Sequence, residues 1–326
     1  MHTQPDFRKY HIAAVIPAYR VEREVEAVLC GLPDYLRHII VVDDASPDAT
    51  SARVEELACR DSRIILLKHE RNQGVGGAMI SGFRRALELG AQVTVKIDGD
   101  GQMDPRFLPQ LLTPLLRGRA DYAKGNRFRD FEALQQMPPA RRLANMALSF
   151  AAKAASGYWN CFDPANGFFA IRSEVLAQLP LDRLDRRYFF ETSMLANLYL
   201  LGAFVLDVPM PARYGSETSS VLMHYAAMEF PLKLLHTFFR RLWLKYFLFD
   251  FSIMAIYLLT GLPLLLFGLI FGITKWIKYA QLGMAAPTGT VMLPTLALIL
   301  GIQILLSAVE IDLNSGPRQP LTEALD

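Results

Sequence analysis

Short apolar runs alternate with charged, helically spaced segments over the first hundred residues, which predicts strands and helices in turn. Residues 12–16 (Ile-Ala-Ala-Val-Ile) read as a buried strand, with Pro17 ending its ladder. Residues 22–32 carry Val25, Val28, Leu29 and Leu32 near helical spacing. His38-Ile39-Ile40-Val41-Val42 reads as a second buried strand and ends at Asp43-Asp44. Residues 48–60 read as a helix and 64–68 as a third strand. Asn72-Gln73-Gly74-Val75-Gly76-Gly77 is a Gly-rich turn into a helix that runs to Leu89, where Gly90 stands ready to end it. Val93 to Ile97 is the fourth strand.

This β-α-β-α-β-α-β order predicts an α/β domain, Rossmann-like, with a mostly parallel sheet and helices on both faces. Ligands of such sheets bind beyond the carboxyl ends of the strands. Pro17, Asp43, Asp44 and Asp98 all fall at such ends. The Gly-rich turn is not a dinucleotide fingerprint, because Met79 stands where GxGxxG needs its last glycine. Gly74 and Gly76 suit either close approach to a ligand or a tight helix entry.

The pattern changes beyond residue 220. Residues 222–249 mix aromatic and aliphatic positions with Lys233, Arg240, Arg241 and Lys245, as amphipathic helices in a membrane interface do. Ser252 to Ile273 is apolar and uncharged over a length that spans ~30 Å of hydrocarbon. Lys275, Trp276, Lys278 and Tyr279 form an interfacial belt, and a second span runs from Val291 to Val309. The expected organisation is a catalytic domain over 1–220, juxtamembrane helices over 221–250, a transmembrane hairpin over 251–310 and a tail over 311–326. Lys and Arg flanking the first span, with Arg318 in the tail, favour a cytoplasmic catalytic domain on the inner membrane.

Composition adds three constraints. The net charge of +2 on 326 residues argues against nucleic acid as a partner. Cys30, Cys59 and Cys161 are odd in number and far apart, so they read as reduced thiols. Residues 1–10 are polar and lack the apolar core of a signal peptide.

The candidate chemistry centres on Asp98-Gly99-Asp100-Gly101, followed by Gln102 and Asp104. Two carboxylates one residue apart at a strand end suit a hard divalent cation, which completes its shell with water and phosphate oxygens. An Asp-Gly turn in solvent is the competing reading. His11, His69, His224 and His236 show no metal spacing and read as structural.

Four signals stand in order: Pro17-Ala18-Tyr19, Val42-Asp43-Asp44-Ala45-Ser46-Pro47-Asp48, Asn72-Gln73-Gly74-Val75-Gly76 and Asp98-Gly99-Asp100-Gly101-Gln102. Together they resemble family 2 glycosyltransferases with a GT-A fold, over residues 10–220. Gly125-Asn126-Arg127-Phe128, Asn166 to Arg172 and Arg213-Tyr214-Gly215 resemble the polyprenyl-phosphate sugar synthases of that family, such as dolichyl-phosphate mannose synthases. The paired C-terminal spans resemble its membrane-anchored members.

The resemblance implies roles. Pro17, Tyr19 and Asp44 would line a nucleoside pocket, with Asp43 adjacent. Asp98, Asp100 and Gln102 would surround Mg²⁺ or Mn²⁺ and the diphosphate, with Asp100 the direct ligand. Arg127 and Arg213 would face phosphates. Relatives carry Asn-Glu-Glu after the Tyr19 position; here Arg20-Val21-Glu22 stands instead. Glu191 falls near the place where hydroxyl-glycosylating relatives carry a base, although a carboxylate at a helix start is also a favourable dipole partner.

The expected reaction is inverting transfer from a nucleotide-diphosphate sugar to a polyprenyl phosphate of undecaprenyl type. Transfer to a sugar hydroxyl of a lipid-linked glycan is the alternative. A processive synthase would carry QxxRW and many spans; the nearest run, His236 to Trp243, lacks the glutamine. A non-catalytic scaffold would not need Asp98, Asp100 and Gln102 together. Two-span anchors also leave room for a homo-oligomer.

Overall fold

Alternate residues of the first strand enter different cores. Ile12, Ala14 and Ile16 face one apolar cluster, and Ala13 and Val15 face another. The period of two along a strand produces this split, and a sheet covered on both faces makes both halves apolar. The computed structural model describes residues 5–126, 139–164, 166–210 and 220–321. The chain divides into two compact units, residues 1–239 with 317–326, and residues 240–316.

In chain order the described strands are Ile12–Ala18 (β1), His38–Asp43 (β2), Ile64–Lys68 (β3), Val93–Lys96 (β4), Tyr122–Asn126 (β5), Phe169–Arg172 (β6) and Val205–Pro209 (β7). They form one sheet in the order β3-β2-β1-β4-β6-β5-β7. β1 pairs in parallel with β2 and β4, β2 with β3, and β5 with β7. β6 runs antiparallel to both β4 and β5. The mostly parallel α/β sheet expected from the alternation is present, with one reversed strand in it.

Helices Val25–Cys30 (α1), Thr50–Arg60 (α2) and Leu108–Leu116 (α4) cover one face; Val75–Glu88 (α3) and Phe190–Leu201 (α6) cover the other. Between α4 and α6 in sequence lies Pro139–Ser156 (α5). Gly82 lets α3 lie directly on β1, since a Cβ there would run into Val15. α6 is buried from Phe190 to Tyr199 and ends at Gly202, whose φ of 82° is left-handed.

Pro17 does not end its strand: β1 continues to Ala18, with Pro17 in register with Val42. The Val15 carbonyl accepts from Ile97, so odd positions of β1 turn their polar groups toward β4. The β4 ladder closes there, and the N–H that Pro17 lacks has no strand to meet.

The second unit is an antiparallel helix pair. Helix Ser220–Trp243 (α7) leads into a π-helical turn, Leu244–Phe249, then Ile253–Leu282 (α8) and Thr288–Asn314 (α9). α8 and α9 have mean hydropathies of 2.3 and 2.2 over their most apolar stretches and are long enough to cross a membrane. Both exceed the expected spans, so Lys275, Trp276, Lys278 and Tyr279 lie on the last turns of α8 and not in the loop. Gly261, Gly268 and Gly301 allow the backbones to approach: a Cβ at Gly301 would stand 2.8 Å from the Leu265 nitrogen. Buried Arg241 binds Asp312 at 2.6 and 2.9 Å, and the Tyr246 hydroxyl donates to the same carboxylate at 2.7 Å.

Candidate active site

The β1 and β2 ends carry two non-glycine residues in left-handed backbone, Arg20 (φ 57°) and Ala45 (φ 58°). Such conformations persist only where neighbours enforce them. Here the Arg20 N–H donates to Ser46 Oγ at 3.2 Å, Val21 N–H to Thr50 Oγ1 at 3.1 Å and Ala49 N–H to Glu22 Oε2 at 3.0 Å. Glu22 therefore braces the loop before α2. Tyr19 remains 44% exposed, with the Arg20 guanidinium 5.3 Å from its ring centre.

Asp43 and Asp44 are both buried and fully engaged. Asp43 accepts from Ser46 N–H at 3.1 Å and from the Ser51 hydroxyl. Asp44 accepts from Gln73 N–H at 2.8 Å and Gly74 N–H at 2.7 Å, and lies 2.7 Å from His69 Nδ1. These carboxylates shape the loops at the strand ends, and Asp44 ties the β2 end to the Gly-rich turn. Gly74 and Gly76 serve neither of the two expected purposes alone. A Cβ on either would strike the backbone of residues 185–187, whose Arg186 carbonyl accepts from Gly77 N–H at 3.0 Å.

Asp98 follows β4, next to β1, where neighbouring connections leave in opposite directions; open α/β sheets place ligands at this switch point. A cavity of about 370 Å³ opens here, lined by Asp98, Gln102, Lys96, Glu191, Asn166 and Tyr188 among others. Asp100 borders a neighbouring groove with Arg23 and Arg106, while its Oδ1 accepts from Gln102 N–H at 3.0 Å. Asp104 caps the short turn Pro105–Phe107 by accepting from Arg106 N–H at 3.0 Å.

Lys96, read in the sequence only as part of an apolar strand, lines the cavity beside Asp98 and Glu191. Its ammonium is 2.9 Å from Glu191 Oε1 and 3.1 Å from Asp98 Oδ1, and its side chain is 2% exposed. Burial works against the charged lysine, but Asp98 and Glu191 outweigh it and hold its pKa above the ordinary value. Burial raises the Asp98 carboxyl; Lys96 pulls it back, and Asp100 and Glu191 add to the rise. A second buried lysine, Lys124 on β5, donates to the carbonyls of Pro164 at 2.9 Å and of Asn166. Burial lowers its pKa. Asn166 in turn donates to the Gly125 carbonyl at 2.8 Å, fixing the loop ahead of β6.

Asp98, Gln102 and Glu191 thus come together on one cavity, Pro17, Tyr19, Asp43 and Asp44 lie at the adjoining strand ends, and Arg127 and Arg213 lie outside the described residues. Lys96 and Lys124 were missed because an isolated lysine in a strand reads as an edge position.

A mostly parallel sheet with carboxylates at its ligand edge defines a GT-A-type α/β protein. Its fold is similar to that of glucosyl-3-phosphoglycerate synthase from Mycobacterium tuberculosis, solved with Mn²⁺, UDP and glucosyl-3-phosphoglycerate. The TM-score is 0.54 at 22% identity, over 74% of this chain and 84% of that one. The model of glycosyl transferase family 2 matches residues 13–179; the chain belongs to this family and is a glycosyltransferase. It is 32% identical over 190 residues to a UDP-N-acetylglucosamine–dolichyl-phosphate N-acetylglucosaminyltransferase of Methanococcus voltae, covering 54% of this chain and 75% of the relative. It is 31% identical to the undecaprenyl-phosphate mannosyltransferase of Micrococcus luteus, over 61% of this chain and 82% of the relative.

Proposed function

We propose that the chain transfers a sugar, with inversion and with the help of a divalent metal, from a nucleotide-diphosphate donor to a polyprenyl phosphate at the cytoplasmic face of the membrane. The observation that carries this reading is a strand-end carboxylate, Asp98, lining a cavity in a chain that also holds two membrane-length helices. The names of the two relatives above support a lipid-phosphate acceptor. Residues flanking 240–316 on both sides belong to the unit that contains the sheet, which suits a hairpin that crosses and returns.

The residues present fit a divalent cation. Asp98, with Asp100 and Glu191 nearby, sets three carboxylates against the one ammonium of Lys96, a net negative charge that supports a cation. No three His, Cys, Asp or Glu side chains among the described residues converge on one metal position, so water and donor phosphate oxygens would complete its shell. Asp98, Asp100 and Gln102 would hold the metal. When bound it would neutralise the leaving diphosphate as a Lewis acid.

The remaining work falls to the chain itself. The left-handed loops at Arg20 and Ala45 leave the Tyr19 ring exposed, where it would line the nucleoside pocket. Arg127 and Arg213 would dock the phosphates of donor and acceptor, as guanidinium groups do. A lipid phosphate is already anionic near pH 7, so attack on the anomeric carbon needs little base. A sugar hydroxyl would need one, and the carboxylate positioned for that role, Glu191, is already bonded to Lys96.

The test is a panel of radiolabelled nucleotide sugars with membranes containing the protein, undecaprenyl phosphate and Mn²⁺. One donor should deliver label to the extracted lipid, and Asp100→Ala should abolish the transfer while the domain stays folded. Substantial metal-dependent transfer by Asp100→Ala would remove Asp100 from the site.

A further inference from the structure

Lys96, Asp98 and Glu191 come from three separate elements: the last residue of β4, the loop after it and the first turn of α6. Val93 and Val95 of β4 enter one core, so Lys96 leaves the sheet on the opposite face, beneath α6. An ammonium buried there is strongly disfavoured unless it is paired. Glu191, 9% exposed on a helix that is otherwise apolar or small in its first turns, is the partner that makes the position tenable. The pair is also boxed in. A Cβ at Gly167 would run into Lys96 Nζ and stand 3.1 Å from Asp98 Oδ2, and the Gly167 loop is pinned by Lys124 and Asn166.

We propose that Glu191 is a positioning residue: it fixes Lys96, and Lys96 fixes Asp98 Oδ1, so that Asp98 is presented to the metal and diphosphate in one orientation. Glu191 acts on the lysine and not on the acceptor. A general base needs a lone pair aimed at the proton it removes. Glu191 Oε1 accepts from Lys96, and a proton taken up at the other oxygen would remove the carboxylate's charge and leave the buried ammonium with Asp98 as its one remaining counter-charge among the described contacts. Ligand-orienting partners of this kind typically change metal affinity by about 10–100-fold when removed.

This inference rests on the metal-dependent reading above. Its test is Mn²⁺ binding to purified full-length protein without donor or acceptor, read by electron paramagnetic resonance of free Mn²⁺, with kcat and melting temperature measured alongside. Asp98→Asn should lose most Mn²⁺ affinity. Lys96→Met and Glu191→Leu should each weaken it by about tenfold, and the double variant should be no weaker than Lys96→Met. Glu191→Gln should recover most of the Glu191→Leu loss, because its amide oxygen still accepts from Lys96. Throughout the series kcat should track Mn²⁺ affinity. A loss of about 100-fold or more in kcat for Glu191→Gln with Mn²⁺ affinity intact would make Glu191 a base and overturn the proposal. Lower melting temperatures with unchanged Mn²⁺ affinity would also overturn it, by reducing the triad to a structural ion cluster. If Lys96→Met does not fold, the contrast between Glu191→Leu and Glu191→Gln still decides. Absence of Mn²⁺ binding by the unaltered protein would instead bring down the metal-dependent reading, and this inference with it.

Discussion

Asp44 illustrates how one side chain can look like a ligand and act as a hub. Its two oxygens meet Gln73 N–H, Gly74 N–H and His69, residues 25 to 30 positions away. Asp44→Ala strands two half-buried backbone donors, at about 1–3 kcal/mol for each unsatisfied group. Chemical denaturation should therefore show a loss of about 2–6 kcal/mol, where a purely ligand-facing carboxylate would leave stability unchanged. Position and residue type were readable from the sequence: Asp43, Asp44 and Asp98 stand at strand ends because the alternation puts them there. Their partners were not readable, because those bonds join segments that only the folded sheet brings close. Lys96 was the least visible, since its two carboxylates lie on a loop and on a helix 95 residues further along.

Elements were legible where the pattern was local. The third strand, 64–68, matches β3 to the residue, and the helix after the Gly-rich turn ends one residue before the expected Leu89. Reversal of β6 left no trace in the pattern, because an antiparallel strand buried on both faces is as apolar as a parallel one. α6 shows no amphipathic stripe for a related reason: it is buried all round. Gly74 shows the constraint at an element boundary. It combines a φ of 86° with a Cβ position 2.5 Å from the Arg186 carbonyl. Gly74→Ala should cost about 1–3 kcal/mol from backbone strain alone, measured as a lower unfolding midpoint. In the helix pair, Asp312→Ala leaves the Arg241 guanidinium buried without its carboxylate. A loss of about 3–5 kcal/mol is expected, seen as earlier unfolding in detergent; unchanged thermal stability would show that the pair is solvated.

At the scale of the whole molecule, the chain leaves the sheet-bearing unit at residue 240 and rejoins it at 317. Leu321 N–H then donates to Asp121 at 2.8 Å, and the same carboxylate oxygen accepts from Phe204 N–H at 2.8 Å. Leu321, within the tail expected over 311–326, is thus bonded to the sheet-bearing unit at Asp121. Replacing residues 240–316 with a flexible linker, keeping 317–326, should give a chain that still binds Mn²⁺. It should lose transfer to long-chain polyprenyl phosphate in bilayers, as followed by vesicle flotation and lipid extraction. Retention on vesicles by that variant would show that residues outside 240–316 anchor the protein.

The proposed reaction moves a sugar alone onto a lipid phosphate as a nucleoside diphosphate departs with the help of a metal. Mass spectrometry of the lipid formed by purified protein from a nucleotide sugar and undecaprenyl phosphate tests this directly. The expected product is a lipid heavier by one sugar residue and no phosphate, with one nucleoside diphosphate released per sugar and no product when EDTA removes the metal. A product lengthened on an existing glycan, a second phosphate on the lipid, or undiminished yield in EDTA would contradict it.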